Sequence, residues 1–155
     1  MHYITTTRFN NSTWNENTMW KQTNKWDGCI YNSPTELPIN IPYQSLVFVL
    51  EMNNDTNQIM GVGLIRNRRS VDQYYKIYKL SNYNRFTYKS HYYLSREEIT
   101  PSEECIMKVL DIFLFTTKKH LKRGHGIISL PRHIIKNKYQ FNFYAFLKKM
   151  FMNHY

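Results

Sequence analysis

The chain has 155 residues, enough for one domain with a hydrophobic core, and no run approaches the ~20 apolar residues that a membrane helix requires. Its two cysteines, Cys29 and Cys105, have no Cys or His neighbour at metal-ligand spacing, so no cofactor or structural metal is expected. The net charge of +10 is unevenly placed. Residues 1–64 carry Arg8, Lys21 and Lys25 against Glu16, Asp27, Glu36, Glu51 and Asp55, a net of −2 (3 − 5), whereas residues 65–155 carry 18 Lys/Arg against six acids, a net of +12 (18 − 6).

A basic half of that size favours polyanions, of which nucleic acid is the commonest in a cell. The opening residues lack the basic-then-apolar pattern of a signal peptide, which fits an intracellular protein with no membrane partner. One alanine stands against 16 asparagines and 13 tyrosines. Those residues have AT-rich codons, so aromatic enrichment alone carries little weight.

Taken in order, Tyr3 to Thr7 reads as a short strand. Thr13 and Glu16 have capping-box spacing and predict a helix from about Trp14 to Lys21. Asp27-Gly28 is a turn, Cys29-Ile30-Tyr31 a short strand ended by Asn32-Ser33-Pro34, and 34–42 an extended connector. Ser45 to Arg69 predicts a β-hairpin about the Asn53–Asn57 turn. Its strands are apolar on successive residues, so both faces should be covered. Gly61 and Gly63 inside the second strand imply a bend or a close approach to the backbone.

Beyond a polar loop at 66–72, Tyr74 to Leu80 and Tyr83 to Tyr88 alternate as aromatic strands, followed by His91 to Leu94. Their aromatics interleave with Lys76, Lys79, Arg85 and Lys89, the pattern of a sheet that stacks bases and holds phosphates and equally of a sheet with one packed and one solvated face. Thr100-Pro101-Ser102-Glu103 combines a capping box with Pro at the first helical position. The helix it opens carries Ile106, Val109, Leu110, Phe113 and Leu114 as its apolar stripe. Lys118, Lys119, His120, Lys122 and Arg123 follow, more cations than the helix dipole requires, then Gly124-His125-Gly126, where small residues would admit a phosphate or base. Ile127 to Leu130 reads as a strand closed by Pro131. Arg132, His133, Lys136 and Lys138 extend the basic surface, and a last helix starts near Gln140.

No catalytic constellation stands out. His120 and His125 could form a general acid/base pair for metal-independent phosphodiester cleavage, or two solvated histidines at a helix end. Neither cysteine has a nucleophile signature, and there is no triphosphate-cradling motif.

The strings IYNSP (30–34), FVLEMNNDTNQIMGVGLIRN (48–67), NYNRF (82–86), IMKVLDI (106–112) and KRGHGIISLP (122–131) resemble an uncharacterised protein family of nucleocytoplasmic large DNA viruses. That resemblance implies host cytoplasm, virus factory or virion as the location and carries no activity. A shorter stretch is similar to the PUA-like barrels, particularly YTH and EVE domains. It comprises Arg8, Asn10-Asn11, Trp20-Lys21-Gln22-Thr23 and GVGLI (61–65). YTH domains close an aromatic cage over N6-methyladenine in RNA. YTH domains place a second cage tryptophan after the hairpin; none follows Trp26 here, so Tyr74, Tyr75, Tyr83 or Phe86 would have to supply that wall, or Trp26 would come from the near side.

These readings lead to an α+β single domain, a mostly antiparallel PUA-like β-barrel or strongly curved sheet over about 1–99 with a helical, basic region over about 100–155. The first functional expectation is a non-enzymatic module that binds RNA or DNA and reads a modified or flipped-out base. Trp20, Trp26, Asn10, Asn11, Tyr74 and Tyr83 would form the base cage. Arg8, Arg66, Arg68, Arg69, Lys118, Lys119, Lys122, Arg123, His125, Arg132 and Lys136 would hold phosphates. A structural component of a large DNA virus and a small nuclease using His120 and His125 are the alternatives. Oligomeric state is left open.

Overall fold

The computed structural model describes residues 2–155. In chain order it contains β1 (His2–Phe9), α1 (Asn11–Thr23), β2 (Cys29–Ser33), β3 (Leu46–Asn53), β4 (Gln58–Arg66), β5 (Phe86–Ser90), β6 (Tyr93–Ser95), α2 (Pro101–Phe115), β7 (Ile128–Ser129), α3 (Arg132–Ile135) and α4 (Phe143–His154). Five strands form one sheet in the order β6-β4-β3-β1-β7, and β2 pairs with β5 as a separate ribbon. The expected hairpin is the centre of the sheet, with Leu46 opposite Arg66 and Asn53 opposite Gln58.

The barrel expectation is corrected. The sheet is open, ending in the three-residue β6 on one side and the two-residue β7 on the other. Its longest pairing is parallel, β1 with β3 from His2–Leu46 to Phe9–Asn53. A parallel pair needs a crossover rather than a tight turn, and α1, β2 and the 34–45 connector supply it. The two strands therefore end on the same rim.

Both faces of the sheet are covered, which accounts for the unbroken apolar runs. Ile4, Phe48, Leu50 and Val62 pack with Met107, Leu110 and Leu114 of α2 and Leu147, Met150 and Phe151 of α4. On the other face Val47, Val49 and Ile65 pack with Ile30 and Tyr31 of β2 and Tyr88 of β5. The stripe on α2 is rotated from the one read in sequence: Met107 is buried, whereas Val109 lies in solvent.

α2 starts as its sequence dictates, with Thr100 and Glu103 exchanging bonds in a capping box. α1 does not. Its cap is Asn10, whose Oδ1 accepts from Thr13 N (2.8 Å) while Thr13 Oγ1 accepts from Asn10 N (3.0 Å). Glu16 instead accepts the Lys79 backbone N–H (2.8 Å). The strand expected over Tyr74–Leu80 is absent. Asn84, in a 3-10 turn at Ser81–Asn84, accepts from Ile77 N and Tyr78 N and donates to Tyr78 O (3.2, 3.0 and 2.7 Å). One buried amide thus satisfies backbone groups that a neighbouring strand would otherwise have to meet.

Glu51 is 2 % exposed in the middle of β3, beside the register shift between Leu50 and Met52. Tyr31 of β2 donates to its Oε2 (2.8 Å) and Tyr93 of β6 to its Oε1 (2.9 Å). The two tyrosines reach it across Gly61 and Gly63. A methyl on Gly63 would overlap the Tyr31 hydroxyl and lie 2.7 Å from Cys29 Sγ, and one on Gly61 would overlap the Tyr93 hydroxyl. The close approach read from these glycines is therefore made by the protein's own phenols. Burial raises the Glu51 carboxyl above its ordinary value, outweighing Lys21 and the two hydroxyls. At the outer edge of β6, the Tyr155 hydroxyl accepts from Tyr93 N (3.0 Å) and donates to Tyr93 O (2.8 Å).

Gly63→Ala should destabilise the fold by roughly 1–3 kcal/mol, the usual cost of overpacking, read as a lower urea midpoint at unchanged slope; an unshifted midpoint would show that the phenol can move aside. Because the folded state holds the Glu51 proton more tightly than the unfolded chain, this group's stabilisation is complete below the ordinary carboxyl range. It is lost as pH rises through the raised folded value. Urea unfolding at a series of pH values should show wild type losing stability relative to Glu51→Gln as pH increases, and a gain instead would mean that the charged form is favoured.

Candidate functional site: a cleft at the strand ends

The shared rim of β1 and β3 borders a cleft of about 310 Å³. Thr7, Arg8 and Phe9 line it from β1, Asn10 and Thr13 from the start of α1, Tyr31 and Asn32 from β2, Pro34 from just beyond it, and Asn54 from the hairpin turn. Tyr78, Leu80 and Tyr83 form another wall, and Lys122, Gly124, His125 and Gly126 close it. Three rings follow one another there. Tyr78 and Tyr83 meet edge-on at 6.4 Å, and Tyr83 lies 6.2 Å from the His125 ring. Tyr78 is buried, whereas Tyr83 is 36 % exposed, so the aromatic wall runs from core to surface.

Arg8 organises the far side. Its Nη1 donates to Thr6 Oγ1 (2.9 Å) and Leu121 O (3.2 Å), and its Nη2 to Thr6 O (3.1 Å) and Gly126 O (2.6 Å). No carboxylate pairs with it among the described residues, and burial lowers its pKa to about 10. Arg8 was expected on a phosphate; its terminal nitrogens are spent on pinning the 121–126 loop. The glycines of that loop serve the same packing. A methyl on Gly124 would lie 2.7 Å from Arg8 Cζ, and Gly126 has φ +70° with Ser33 Oγ and Thr35 Oγ1 at 2.9 Å from the position of a Cβ. His125 is thereby held on the rim.

In two residues that line this cleft a buried polar atom has no hydrogen-bond partner among the described residues: Arg8 Nε and Asn54 Oδ1. Asn54 Nδ2 donates to Lys122 O (2.8 Å), which fixes the amide so that its oxygen is the unpaired atom. Asn32 is committed internally, donating to Tyr75 O and Asn84 Oδ1 and accepting from Thr87.

The structure disperses the rest of the sequence-derived set. Asn10, Tyr83, Arg8, Lys122 and His125 share this cleft. Trp20 lies instead in a shallow groove with Glu16, Met19, Lys76 and Lys79, its ring 5.7 Å from Tyr75. Trp26, Arg66, Arg68 and Arg69 line a different cleft, so the two tryptophans do not face one base. Asn11 bonds Asn53 across the turn, and Tyr74 is exposed outside these clefts. Lys118, Lys119, Arg123 and Arg132 are solvent-exposed, and Lys136 lines a separate groove beside Phe141. His120 Nδ1 accepts the Lys122 N–H (3.2 Å) and is not on the cleft wall with His125. Among the described residues, no group of three His, Cys, Asp or Glu side chains is placed to hold a metal ion.

Tyr31, Tyr78 and Asn54 were missed as cleft residues. The signal that would have found them is the parallel pairing of β1 with β3, which sends Asn10 and Asn54 to one rim. Compared with family models, curated proteins and solved structures, the chain matches none of them. No helix is long and apolar enough to cross a membrane among the described residues.

Replacing Arg8 by Met leaves the carbonyls of Leu121 and Gly126 without their donor, at a cost of roughly 1–3 kcal/mol per buried unpaired group. Amide hydrogen exchange over 121–126 should accelerate in this variant while α4 stays protected. Unchanged exchange in the loop would remove Arg8 from its role as the pin.

Proposed function

We propose that the protein is a nucleic-acid-binding module that receives one base, unstacked from its neighbours, in the cleft at the ends of β1 and β3. The observation that carries this reading is the cleft itself. Its volume of about 310 Å³ lies at the lower end of the range for small-ligand sites. It combines a wall of rings at Tyr78, Tyr83 and His125 with an unpaired amide oxygen on Asn54. Rings offer a face to any base, at ~1–3 kcal/mol per stacked base. That oxygen is shielded from solvent, so a ligand N–H would meet it only with a shift of the 53–57 turn, which would relieve the cost of leaving it unmet. Lys122 on the same wall and exposed Lys118, Lys119 and Arg123 just before His125 supply charge for the flanking phosphates.

The position agrees with a general rule for open α/β sheets, in which ligands sit beyond the carboxyl ends of parallel strands. The resemblance to YTH domains enters in altered form: the walls are Tyr31, Tyr78, Tyr83 and His125 rather than Trp20 with Trp26. A PUA-like ancestry and an origin in a large DNA virus belong to this same proposal. RNA and DNA are both candidate partners, and no reaction is assigned.

Fluorescence anisotropy with labelled short RNA and DNA strands at two salt concentrations tests the reading. Binding should weaken steeply with salt as phosphate contacts release counterions, and Tyr83→Ala should reduce affinity roughly 5- to 150-fold, the loss of one stacked base. No binding by any oligonucleotide at low salt would sink the proposal.

A further inference from the structure

A second cleft, of about 790 Å³, lies at the opposite end of the same sheet, where β3 begins at Leu46 and β4 ends at Arg66. Arg66, Arg68, Arg69 and Lys89 line it against one carboxylate, Asp72, a net of +3 (4 − 1) with His91 neutral. Asp72 already accepts the Tyr75 hydroxyl at both oxygens (2.8 and 3.0 Å). Among the described residues the only ion pair made by these four cations is Arg69 with Glu36, at 3.5 Å with both side chains more than half exposed, a kind of pair worth little and easily exchanged.

The aromatic floor is fixed. Trp26 Nε1 donates to Cys29 O (3.0 Å), the His91 ring, itself 2.7 Å from Asp27 Oδ1, lies tilted against it at 4.4 Å and 31°, and Lys89 Nζ lies 4.7 Å from its ring centre. Tyr92 lines the same wall. Cations beside a held aromatic face are the equipment with which proteins grip single-stranded nucleic acid irrespective of sequence. The contrast with the first cleft is chemical. Asn10, Asn32 and Asn54 line that one, Asn32 with its amide already bonded internally and Asn10 keeping its Nδ2 beyond the helix cap, whereas among the described residues no Asn or Gln lines this one. Amides read base edges; cations and ring faces hold phosphates and stack on any base.

We propose that this second cleft is a sequence-indifferent track for a single-stranded nucleic acid, engaging nucleotides remote from the one taken up at the strand ends. It rests on the nucleic-acid reading above, and only the trinucleotide comparison in its test rests also on the base cleft. From Leu46 to Asn54 along β3 is eight residues, about 26 Å at ~3.3 Å per residue, so one short oligonucleotide cannot fill both sites and a longer strand can.

The test compares a trinucleotide with a twelve-nucleotide homopolymer, titrated against wild type and the exposed-site variant Arg68→Glu/Arg69→Glu, with circular dichroism to verify the fold. For the longer strand the double variant should lower affinity at least tenfold and reduce the slope of log K against log salt by about 1.4, two contacts at ~0.7 each. Trinucleotide affinity should hardly change. Trp26 lines this cleft and no tryptophan lines the other, so the longer strand should quench emission in wild type and lose most of that quenching in Trp26→Phe. Equal affinity and salt slope for wild type and the double variant would overturn the track. So would quenching by an acidic polypeptide but by no oligonucleotide, which would make the occupant a protein. If Tyr83→Ala leaves binding intact while Arg68→Glu/Arg69→Glu abolishes it, the track stands and the base cleft falls.

Discussion

The carboxyl of Glu51 is the point through which the fold is tied. It lies inside the central strand with both oxygens accepting phenolic hydroxyls, one from the β2 ribbon and one from the edge strand β6. A third element leans on it from outside: Lys21 of α1 places its ammonium 4.3 Å from the centre of the Tyr93 ring. Burying an acid is costly unless its oxygens are met by donors, and here each donor belongs to a different part of the chain. Burial also pushes the neighbouring Cys29 thiol up to about 12 and raises Tyr31 and Tyr93 above the ordinary phenol range. The cluster is therefore a neutral, hydrogen-bonded knot in ordinary conditions for its tyrosines and its thiol. Four elements converge on it, and glycine is required wherever a phenol passes over the sheet.

From that knot the two ends of the sheet diverge in chemistry. At one end the strands finish beside amides, rings and a loop pinned by a guanidinium. At the other they begin beside four cations around a locked indole. The charge asymmetry between the first 64 residues and the rest is thus not a division of the molecule into an acidic and a basic half. Both clefts are built by bringing early residues, such as Asn10 and Trp26, against late ones, such as His125 and Lys89.

Local chemistry was readable wherever one segment decides its own structure. The β3–β4 hairpin, with its Asn/Asp turn and apolar runs, and α2, with its Thr-Pro-Ser-Glu start, formed where their residues placed them. Two of the failures are local competitions between neighbouring segments, and the rest are tertiary. Tyr74–Leu80 alternates like a strand, yet Asn84, six residues beyond Tyr78, satisfies its backbone. Thr13 looked like a cap, yet Asn10 one turn earlier takes that position and leaves Glu16 free for Lys79. Arg8 and Gly124 each looked like anion ligands, and each proved to be the other's packing partner. Trp20 and Trp26 are six residues apart in sequence, but the end of α1 and the turn after it turn their rings toward different grooves. Among the candidate site residues, sequence identified the types that gather in the clefts and could not say which of them share one, because that depends on the parallel β1–β3 crossover.

The Tyr155 hydroxyl, which takes both outward-facing backbone groups of Tyr93, bears on how the molecule behaves in company. An outermost strand normally offers a ladder of free N–H and C=O groups to any extended chain that meets it. Here that strand is three residues long, and a phenol delivered by the end of α4 imitates the absent neighbour with one donor and one acceptor. A second molecule finds no ladder to extend along that side, so sheet-to-sheet growth is blocked at a place where a protein rich in tyrosine and asparagine is otherwise prone to it.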